Sequence, residues 1–202
     1  TNISHCTASI EKLKSVVDPR PGEEIFGITM VNSKGKTILV ADTNVQDFPS
    51  AQRLVNVSKS CVRVARLFGF DPKVAFLSHS TFGKPVSKNT KHVRDAIELL
   101  KKGKVDFDFD GEMQPDVALN PIYQEIYPFS KIVGKANILI MPALHSAAIS
   151  TKLMKVYGDA KLIGPLLIGL GLPIEVAPLR SSTSDILNLA SVAAYSSHVI
   201  KY

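Results

Sequence analysis

Apolar residues recur along this chain at the spacings typical of strands and helices, and they predict its secondary-structure elements. The first of these elements lie before and after a proline-rich break. The break, Asp18–Gly22, ends a helix predicted over Ser9–Val17. Two β-rich runs, Glu24–Val31 and Lys36–Ala41, then flank the turn sequence Asn32–Gly35. This order predicts a β-hairpin.

A helix is predicted to open at Pro49-Ser50, because apolar residues then recur every three or four positions. This stripe consists of Leu54, Val57, Cys61, Val64, Ala65 and Phe68. Gly69 and Asp71-Pro72 end the helix. We therefore expect Cys61 to pack in the core.

The stretch Lys73–Asp116 follows the order strand, loop, helix, strand. It comprises a strand over Lys73–Leu77, a polar loop over Ser78–Pro85, a helix over Asn89–Lys102 and a strand over Val105–Asp110. Polar residues follow both strands. In open α/β sheets ligands bind at the carboxyl ends of the strands, so this edge is the first place to look for a site.

The second half of the chain continues the alternation of strands and helices. The predicted elements are a helix from Pro115 to about Ile126, a central parallel strand over Lys135–Met141, a helix over Ala147–Tyr157, an apolar run within Ile163–Gly171, a strand over Ile174–Val176 and a final helix capped by Ser181–Thr183 with Asp185 in its first turn. The pattern indicates an α/β fold with a mostly parallel sheet flanked by helices.

Length and composition indicate a globular chain of one domain or slightly more: 202 residues, 45% of them hydrophobic. No apolar run reaches the ~18–20 residues that cross a bilayer, and the first residues lack the order of a signal peptide. Cys6 and Cys61 are too few for a disulfide framework or a zinc site, so we expect a cytoplasmic location. The chain starts at Thr1 without Met, so we expect it to be part of a longer protein.

The net charge of +6 raises the question of anionic partners. Much of this charge lies in Lys84, Lys88, Lys91, Arg94, Lys101, Lys102 and Lys104. Two interpretations stay open: a solvated helix face, or a site for a phosphorylated small molecule beside the polar loop. Nucleic acid is not expected, because the sequence contains neither an aromatic RNA platform nor a recognition helix.

Short hydroxyl side chains and a glycine after Leu77 suit a phosphate or a thioester carbonyl, although the P-loop pattern GxxxxGK[ST] is absent. Ser78 and His79 are adjacent, and adjacent side chains on a strand point to opposite faces, which disfavours a nucleophile–base pair. A metal site from His79, His145, Asp110 and Glu112 is disfavoured because no two have close ligand spacing. Capping or turn roles explain the element-end carboxylates Asp42, Asp110, Asp116 and Asp185 equally well.

Seven tracts in this order resemble the phosphate acetyl/butyryltransferase family over almost the whole chain. They are Val40–Thr43, Pro49–Ala51, Lys73–Gly83, Asp110–Asp116, Ala136–Pro142, Ile163–Leu170 and Asp185–Asn188. DGEMQPDVALNP and SHSTFG are most similar to the phosphotransacetylase-like carboxyl-terminal region of bacterial NADP-dependent malic enzymes.

The resemblance implies an isocitrate/isopropylmalate dehydrogenase-like lobe of a phosphate acyltransferase. Residues 1–177 would form the second lobe of a two-lobed unit, and residues 178–202 a helix that returns to a first lobe outside this chain. The part of a malic enzyme that binds malate, NADP and Mg²⁺ or Mn²⁺ would also lie outside it, so no cofactor is expected here. The resemblance also implies that this lobe contributes contacts to a homo-oligomer.

Departures from the family concern the reacting groups. A Ser-Arg-Gly tract of active transferases is Pro178, Leu179 and Arg180 here, Asp-Leu-Asn is Ala143-Leu144-His145, and Gly-Asn is Ala147-Ala148. A glutamine appears as Ile168, whereas Gln114, Asp116 and Asp185 are retained. One preorganised polar group can contribute ~10²–10³ in rate, so we expect no catalytic residues.

The sequence therefore favours a regulatory domain with acetyl-CoA or a related acyl-CoA as effector, with Lys84, Lys88 and Arg180 near its phosphates. The expected ligand-binding residues are Ser78, His79, Ser80, Thr81, Gly83, Lys84, Asp110, Gln114, Asp116, His145, Arg180 and Asp185. Two alternatives stay open: an active phosphate acyltransferase that uses His79 with His145, and a purely structural assembly role.

Overall fold

The protein is built on one six-stranded mixed sheet with helices on both faces. The computed structural model describes Ser9, Lys12, Leu13 and residues 15–41, 47–179 and 181–199. The strand order is β4-β3-β5-β2-β1-β6. The strands are β1 (Phe26–Ser33), β2 (Lys36–Ala41), β3 (Lys73–Leu77), β4 (Asp108–Met113), β5 (Ile138–Ile140) and β6 (Lys161–Ile168).

The helices lie between and after these strands. They are α1 (Ala51–Leu67), α2 (Lys91–Lys102), α3 (Pro115–Leu119), α4 (Leu144–Tyr157) and α5 (Thr183–Val199), with 3₁₀ turns at Lys88–Thr90 and Pro121–Gln124. Strand β1 is antiparallel to β2 and β6, and the β2–β5, β5–β3 and β3–β4 pairs are parallel. The predicted α/β class and the central parallel strand are confirmed. None of the helices described here combines the length and apolar composition needed to span a membrane.

The hairpin of β1 and β2 closes through the predicted turn. Ser33 pairs with Lys36, and the two residues between them, Lys34 and Gly35, have φ of 51° and 72°. Two positive φ angles are typical of the type I′ turn, whose twist matches that of the adjoining strands. Local turn chemistry therefore fixes the register of the β1–β2 pair.

The core has two layers because alternate strand residues face opposite sides of the sheet. Val74 and Phe76 of β3 pack with the buried stripes of α1 and α2. Ala75 and Leu77 pack on the other face with residues of α3 and α4. Cys61 is fully buried in the first layer, as predicted.

Helix α1 begins where the sequence predicts. The Ser50 side chain accepts a hydrogen bond from Arg53 N at 3.2 Å and caps the helix. Helix α5 also begins as predicted: Asp185 N donates to Ser182 Oγ at 3.2 Å, and Ser182 N donates to Asp185 Oδ2 at 2.9 Å. These reciprocal bonds form a capping box.

Two strand boundaries differ from the predictions. Strand β4 begins at Asp108, three residues after the predicted Val105, because Arg66 donates to Asp106 Oδ2 and to Asp106 O, each at 3.0 Å, and holds that segment against the end of α1. The ladder continues to Met113, so the tract Gly111–Met113 lies inside the sheet. Strand β5 is confined to Ile138–Ile140 within the predicted run.

The helix predicted from Pro115 to Ile126 is wrong beyond Leu119. Pro121 lacks an amide hydrogen and interrupts the helix, and the Asn120 side chain instead accepts from Ile122 N at 3.3 Å to start a 3₁₀ turn. Helix α4 starts at Leu144, earlier than the predicted Ala147.

The strand predicted over Ile174–Val176 is also wrong, since this segment forms no ladder. Ile174 and Val176 pack with Leu167 and Leu170, and Glu175 Oε2 accepts a hydrogen bond from Leu167 N at 3.0 Å. The preceding apolar run forms β6. Six of the nine residues in the helix predicted over Ser9–Val17 are described: Ser9, Lys12 and Leu13 are helical, and residues 15–17 form a turn and a bend, so the helix does not extend to Val17. The loop residue Asp42 lies outside the described residues. The return of α5 to a first lobe stays a prediction.

Candidate ligand-binding site at the carboxyl edge of the sheet

Three neighbouring parallel strands end at one edge of the sheet and place three polar segments side by side. Leu77 at the end of β3 pairs with Met113 of β4, and Phe76 pairs with Ile140 of β5. The residues that follow are therefore neighbours, as expected for the carboxyl edge of an α/β sheet. We call Ser78–Lys84, which follows β3, the β3 loop.

A tight turn shapes the far end of the β3 loop. Thr81 and Lys84 exchange backbone hydrogen bonds of 2.9 and 3.1 Å, and Phe82 and Gly83 between them have φ of 48° and 83°. A Cβ added at Gly83 would meet nothing within 4 Å, so this glycine serves the left-handed backbone rather than a close contact. The Gly83 amide is thereby held in a fixed position.

A buried ion pair supports the near end of the β3 loop. The Glu112 side chain is 0% exposed, and Arg94 Nη1 donates to its Oε1 and Oε2 at 3.1 and 3.2 Å. Arg94 also donates to Thr90 Oγ1 and to Ser87 O, each at 2.8 Å. A buried carboxylate needs such partners, because charge without them is costly in the interior.

The serines of the β3 loop belong to this network. Ser80 Oγ donates to Glu112 Oε1 at 2.5 Å, and Ser78 Oγ lies 3.0 Å from Ser80 Oγ and accepts from Ser80 N. Both serines are buried. Their hydroxyls therefore hold the loop on β4 and point away from solvent. Neither is placed as an exposed nucleophile.

The residues after β4 are tied to the β3 loop by further hydrogen bonds. Gln114 Nε2 donates to His79 O at 3.0 Å, and Gln114 N donates to Thr81 Oγ1 at 3.3 Å. Phe82 N donates to Glu112 O at 2.6 Å. The predicted site residues of these two segments thus lie together.

Four of the predicted residues are exposed at this edge: His79, Lys84, Gln114 and Asp116. The side chains of His79 and Lys84 face solvent on the β3 loop, and Asp116 faces solvent in the first turn of α3. Asp110 differs, because it is buried and both its carboxylate oxygens accept backbone bonds, from Gly111 N at 2.9 Å and Lys131 N at 2.7 Å. Asp110 thus anchors the chain behind the edge.

The other predicted residues lie on separate elements. His145 is exposed in the first turn of α4, where its ring lies 5.7 Å from that of Phe48. Asp185 belongs to the capping box of α5, and hydrogen bonds from the Ser182 amide, then from the Ser182 hydroxyl, lower the pKa of its carboxyl. Arg180 lies outside the described residues. Within the described ranges, no three His, Cys, Asp or Glu side chains cluster as a metal site.

Sequence reasoning missed Arg94 and His92 on α2. The sequence places Arg94 only within the basic cluster for which a solvated face and an anion site both stay open. His92 Nε2 lies 2.9 Å from Pro142 O and connects α2 to the segment after β5. No direct signal for Arg94 was available in the sequence, because the strand was predicted to end at Asp110. The observed strand continues through Glu112, and a carboxylate at a buried strand position requires a cationic partner.

Aromatic rings cover one side of the β3 loop. The Phe82 ring lies 5.3 Å from Tyr127 and 4.8 Å from Phe129, measured between centroids. Phe129 is 64% exposed. The edge therefore combines a preformed backbone turn with an apolar flank, a combination that suits a ligand with both anionic and apolar parts.

Comparisons with known proteins agree with this architecture. The family model described as Phosphate acetyl/butaryl transferase matches residues 3–194. An NADP-dependent malic enzyme of Rhizobium meliloti is 42% identical over 94% of this chain and 25% of its own length. A phosphate acetyltransferase of Bacillus subtilis is 29% identical over 95% of this chain and 60% of its own length.

Solved structures show the same fold. A phosphotransacetylase from Streptococcus pyogenes superposes with a TM-score of 0.84 and 31% identity, over 94% of this chain and 59% of that one. The chain spans about a quarter of the length of the malic enzymes it matches.

Proposed function

Because this chain belongs to the phosphate acetyl/butyryltransferase family, we propose that it is a regulatory domain of an NADP-dependent malic enzyme. In this proposal it binds acetyl-CoA and does not transfer the acetyl group. The observation that carries the proposal is the buried Ser80–Glu112–Arg94 network. It holds the β3 loop in a fixed shape that can bind a ligand, and it uses the Ser80 hydroxyl in a hydrogen bond to Glu112.

The absence of the polar groups that active transferases use supports ligand binding without acetyl transfer. Pro178 and Leu179 stand where active transferases resembling this chain carry serine and arginine, and neither side chain can donate a hydrogen bond. Leu179 is 67% exposed. A binding edge can survive such losses, because positioning of the ligand relies on the retained β3 loop.

Positive charge near the β3 loop suits the phosphates of a coenzyme A thioester. Lys84 is exposed in the loop itself, and Lys88 is exposed at the start of the following 3₁₀ turn. Helix α4 begins at the same edge, and its N-cap, Ala143, provides no side-chain cap, so the dipole of this helix favours an anion near His145. These features favour an anionic ligand at this edge.

An assembly role is the second candidate, supported by an uncovered apolar face. On α4, Ile149, Leu153 and Val156 are 58%, 53% and 75% exposed and recur at helical spacing. Apolar side chains of this kind are typical of the cores of subunit interfaces. A homo-oligomer that buries this face of α4 is compatible with acetyl-CoA binding at the β3 loop.

Two measurements on the full-length protein that carries this chain test the proposal. A coupled assay follows acetyl-CoA formation from acetyl phosphate and CoA, and sustained turnover at an enzymatic rate would establish an active transferase instead. Titration calorimetry with acetyl-CoA gives the affinity. We expect saturable binding without turnover.

Variants locate the binding. Lys84→Ala and Lys88→Ala should each lower the affinity for acetyl-CoA by about ten-fold, because each lysine is proposed to contact a phosphate. Lys102→Ala, an exposed lysine at the end of α2, is the matched control and should bind as the wild type does. Unchanged acetyl-CoA affinity in the Lys84→Ala and Lys88→Ala variants would show that these lysines do not contact the phosphates. Absence of acetyl-CoA binding to the wild type would refute the sensing proposal and favour the assembly role.

A further inference from the structure

A cavity opens at the opposite edge of the sheet, away from the β3 loop. Its volume is about 440 Å³, within the ~300–1,000 Å³ typical of small-molecule sites. It lies where β2 and β5 begin, whereas the β3 loop lies where the parallel strands end. A ligand here would therefore be separate from acetyl-CoA.

The floor of this cavity is apolar. Val31 of β1, Ile38 of β2, Leu119 of α3, Ala136 before β5 and Met154 of α4 contribute to it. Val31 and Ala136 are buried members of the second core layer, and the other three pack against that layer. The floor thus rests on four elements fixed by the core.

Two lysines line the same cavity, and the sheet register explains why they are neighbours. Strands β2 and β5 are parallel, and Leu39 pairs with Ile138. Lys36 and Lys135 each lie three residues before this pair, so they enter the sheet side by side. No residue lining the cavity, among those described, is acidic.

The electrostatics of Lys135 agree with this juxtaposition. Its pKa is lowered, first by a side-chain hydrogen bond with Lys36 and then by the positive charge of Lys36. Two neighbouring ammonium groups repel one another, which favours the neutral form of Lys135. An anion placed between the two would favour the charged form of both.

From this geometry we infer that the cavity binds an amphiphilic organic anion, with an oxyanion head between Lys36 and Lys135 and a short apolar tail on the floor. The Thr37 hydroxyl lines the same cavity and adds hydrogen-bonding capacity, whereas the Asn137 amide is held by Lys73 N and Asp71 O. A carboxylate and a phosphate share the required head-group chemistry. The tail distinguishes this ligand from a free inorganic anion.

Calorimetry on the full-length protein tests the inference with four probes: hexanoate, hexyl phosphate, inorganic phosphate and hexanol. We expect hexanoate or hexyl phosphate to bind saturably, and the better of the two to identify the head group. Inorganic phosphate should bind at least about ten-fold more weakly than hexyl phosphate, because it lacks the tail. Hexanol should bind at least about ten-fold more weakly than hexanoate, because it lacks the charge.

Substitutions assign the binding to this cavity. Lys135→Met keeps the apolar stem of the side chain but removes its charge, and it should lower the affinity for the better-binding probe by about ten-fold. Lys135→Arg should restore much of the affinity, and Lys152→Met, an exposed lysine on α4 outside the cavity, should leave it unchanged. The inference is overturned if neither hexanoate nor hexyl phosphate binds, if hexanol matches hexanoate, if inorganic phosphate matches hexyl phosphate, or if Lys135→Met binds as tightly as Lys152→Met.

Discussion

Replacement of Arg94 by methionine would leave the Glu112 carboxylate buried without its cation. The Glu112 side chain is 0% exposed, and Arg94 supplies hydrogen bonds of 3.1 and 3.2 Å to its two oxygens. Removing one partner of a buried pair costs about 3–5 kcal/mol. We expect a loss near the lower end, about 3 kcal/mol, because Arg94 is 32% exposed and Ser80 still donates to Glu112.

Urea denaturation followed by circular dichroism measures this loss as a lower midpoint at an unchanged slope. For a chain of this size, a loss of about 3 kcal/mol lowers the melting temperature by roughly 6–12 °C. The control is Lys91→Met on the same helix, which removes an exposed pair with Asp95 and should cost less than about 0.5 kcal/mol.

The double variant Arg94→Met/Glu112→Leu isolates the unpaired charge. It should be more stable than Arg94→Met alone, because a buried apolar residue replaces a carboxylate without a partner. Two results would refute this account of the β3 loop: a loss below about 1 kcal/mol for Arg94→Met, or a double variant whose loss equals or exceeds the sum of the two single losses.

Three further substitutions test other parts of the structure. Gly111→Ala should cost at least about 3 kcal/mol by thermal unfolding, since Gly111 has φ of 148° and an added Cβ would lie 2.7 Å from a carbonyl oxygen, whereas Gly103→Ala should cost under about 1 kcal/mol. Burial raises the pKa of Glu175 from 4.5 to about 8, so the folded protein holds a proton that the unfolded chain releases. Wild-type stability should therefore fall as pH rises from 4.5 to 8, and Glu175→Gln should remove this slope and stabilise the protein at pH 8 by on the order of 3 kcal/mol; equal slopes would contradict the assignment. Tyr195 OH donates to Leu67 O at 2.9 Å, so Tyr195→Ala should loosen α5, cost about 1–2 kcal/mol and speed amide exchange in α5 but not in α2.

Local signals in the sequence were sufficient for much of the fold. Asn32–Gly35 predicts the hairpin because two positive φ angles in a row are a local requirement. The apolar stripe of α1 and the cap at Ser50 predict that helix for the same reason. The sequence predicts a strand over Ile174–Val176 because Ile174 and Val176 are β-branched. In the structure these two side chains pack against Leu167 of β6 and the segment forms no ladder. Burial and strand pairing are separate requirements, and only the first is visible in composition.

The site was harder to predict than the fold. The β3 loop and Gln114 were identified from polar residues that follow strands, and the structure joins them through hydrogen bonds. The role of Arg94 depends on a partner eighteen positions away on strand β4, which helix periodicity alone does not reveal. The adjacency of Lys36 and Lys135 likewise arises only from the register of β2 with β5.

The most direct test of the proposed regulation is the rate of NADP reduction with malate, measured in the full-length protein as acetyl-CoA is titrated. A regulatory domain requires acetyl-CoA to bind two states of the protein with different affinity. We predict a saturable change in rate, with its midpoint displaced about ten-fold in Lys84→Ala. A rate independent of acetyl-CoA, at concentrations that saturate the calorimetric binding, would contradict the proposal.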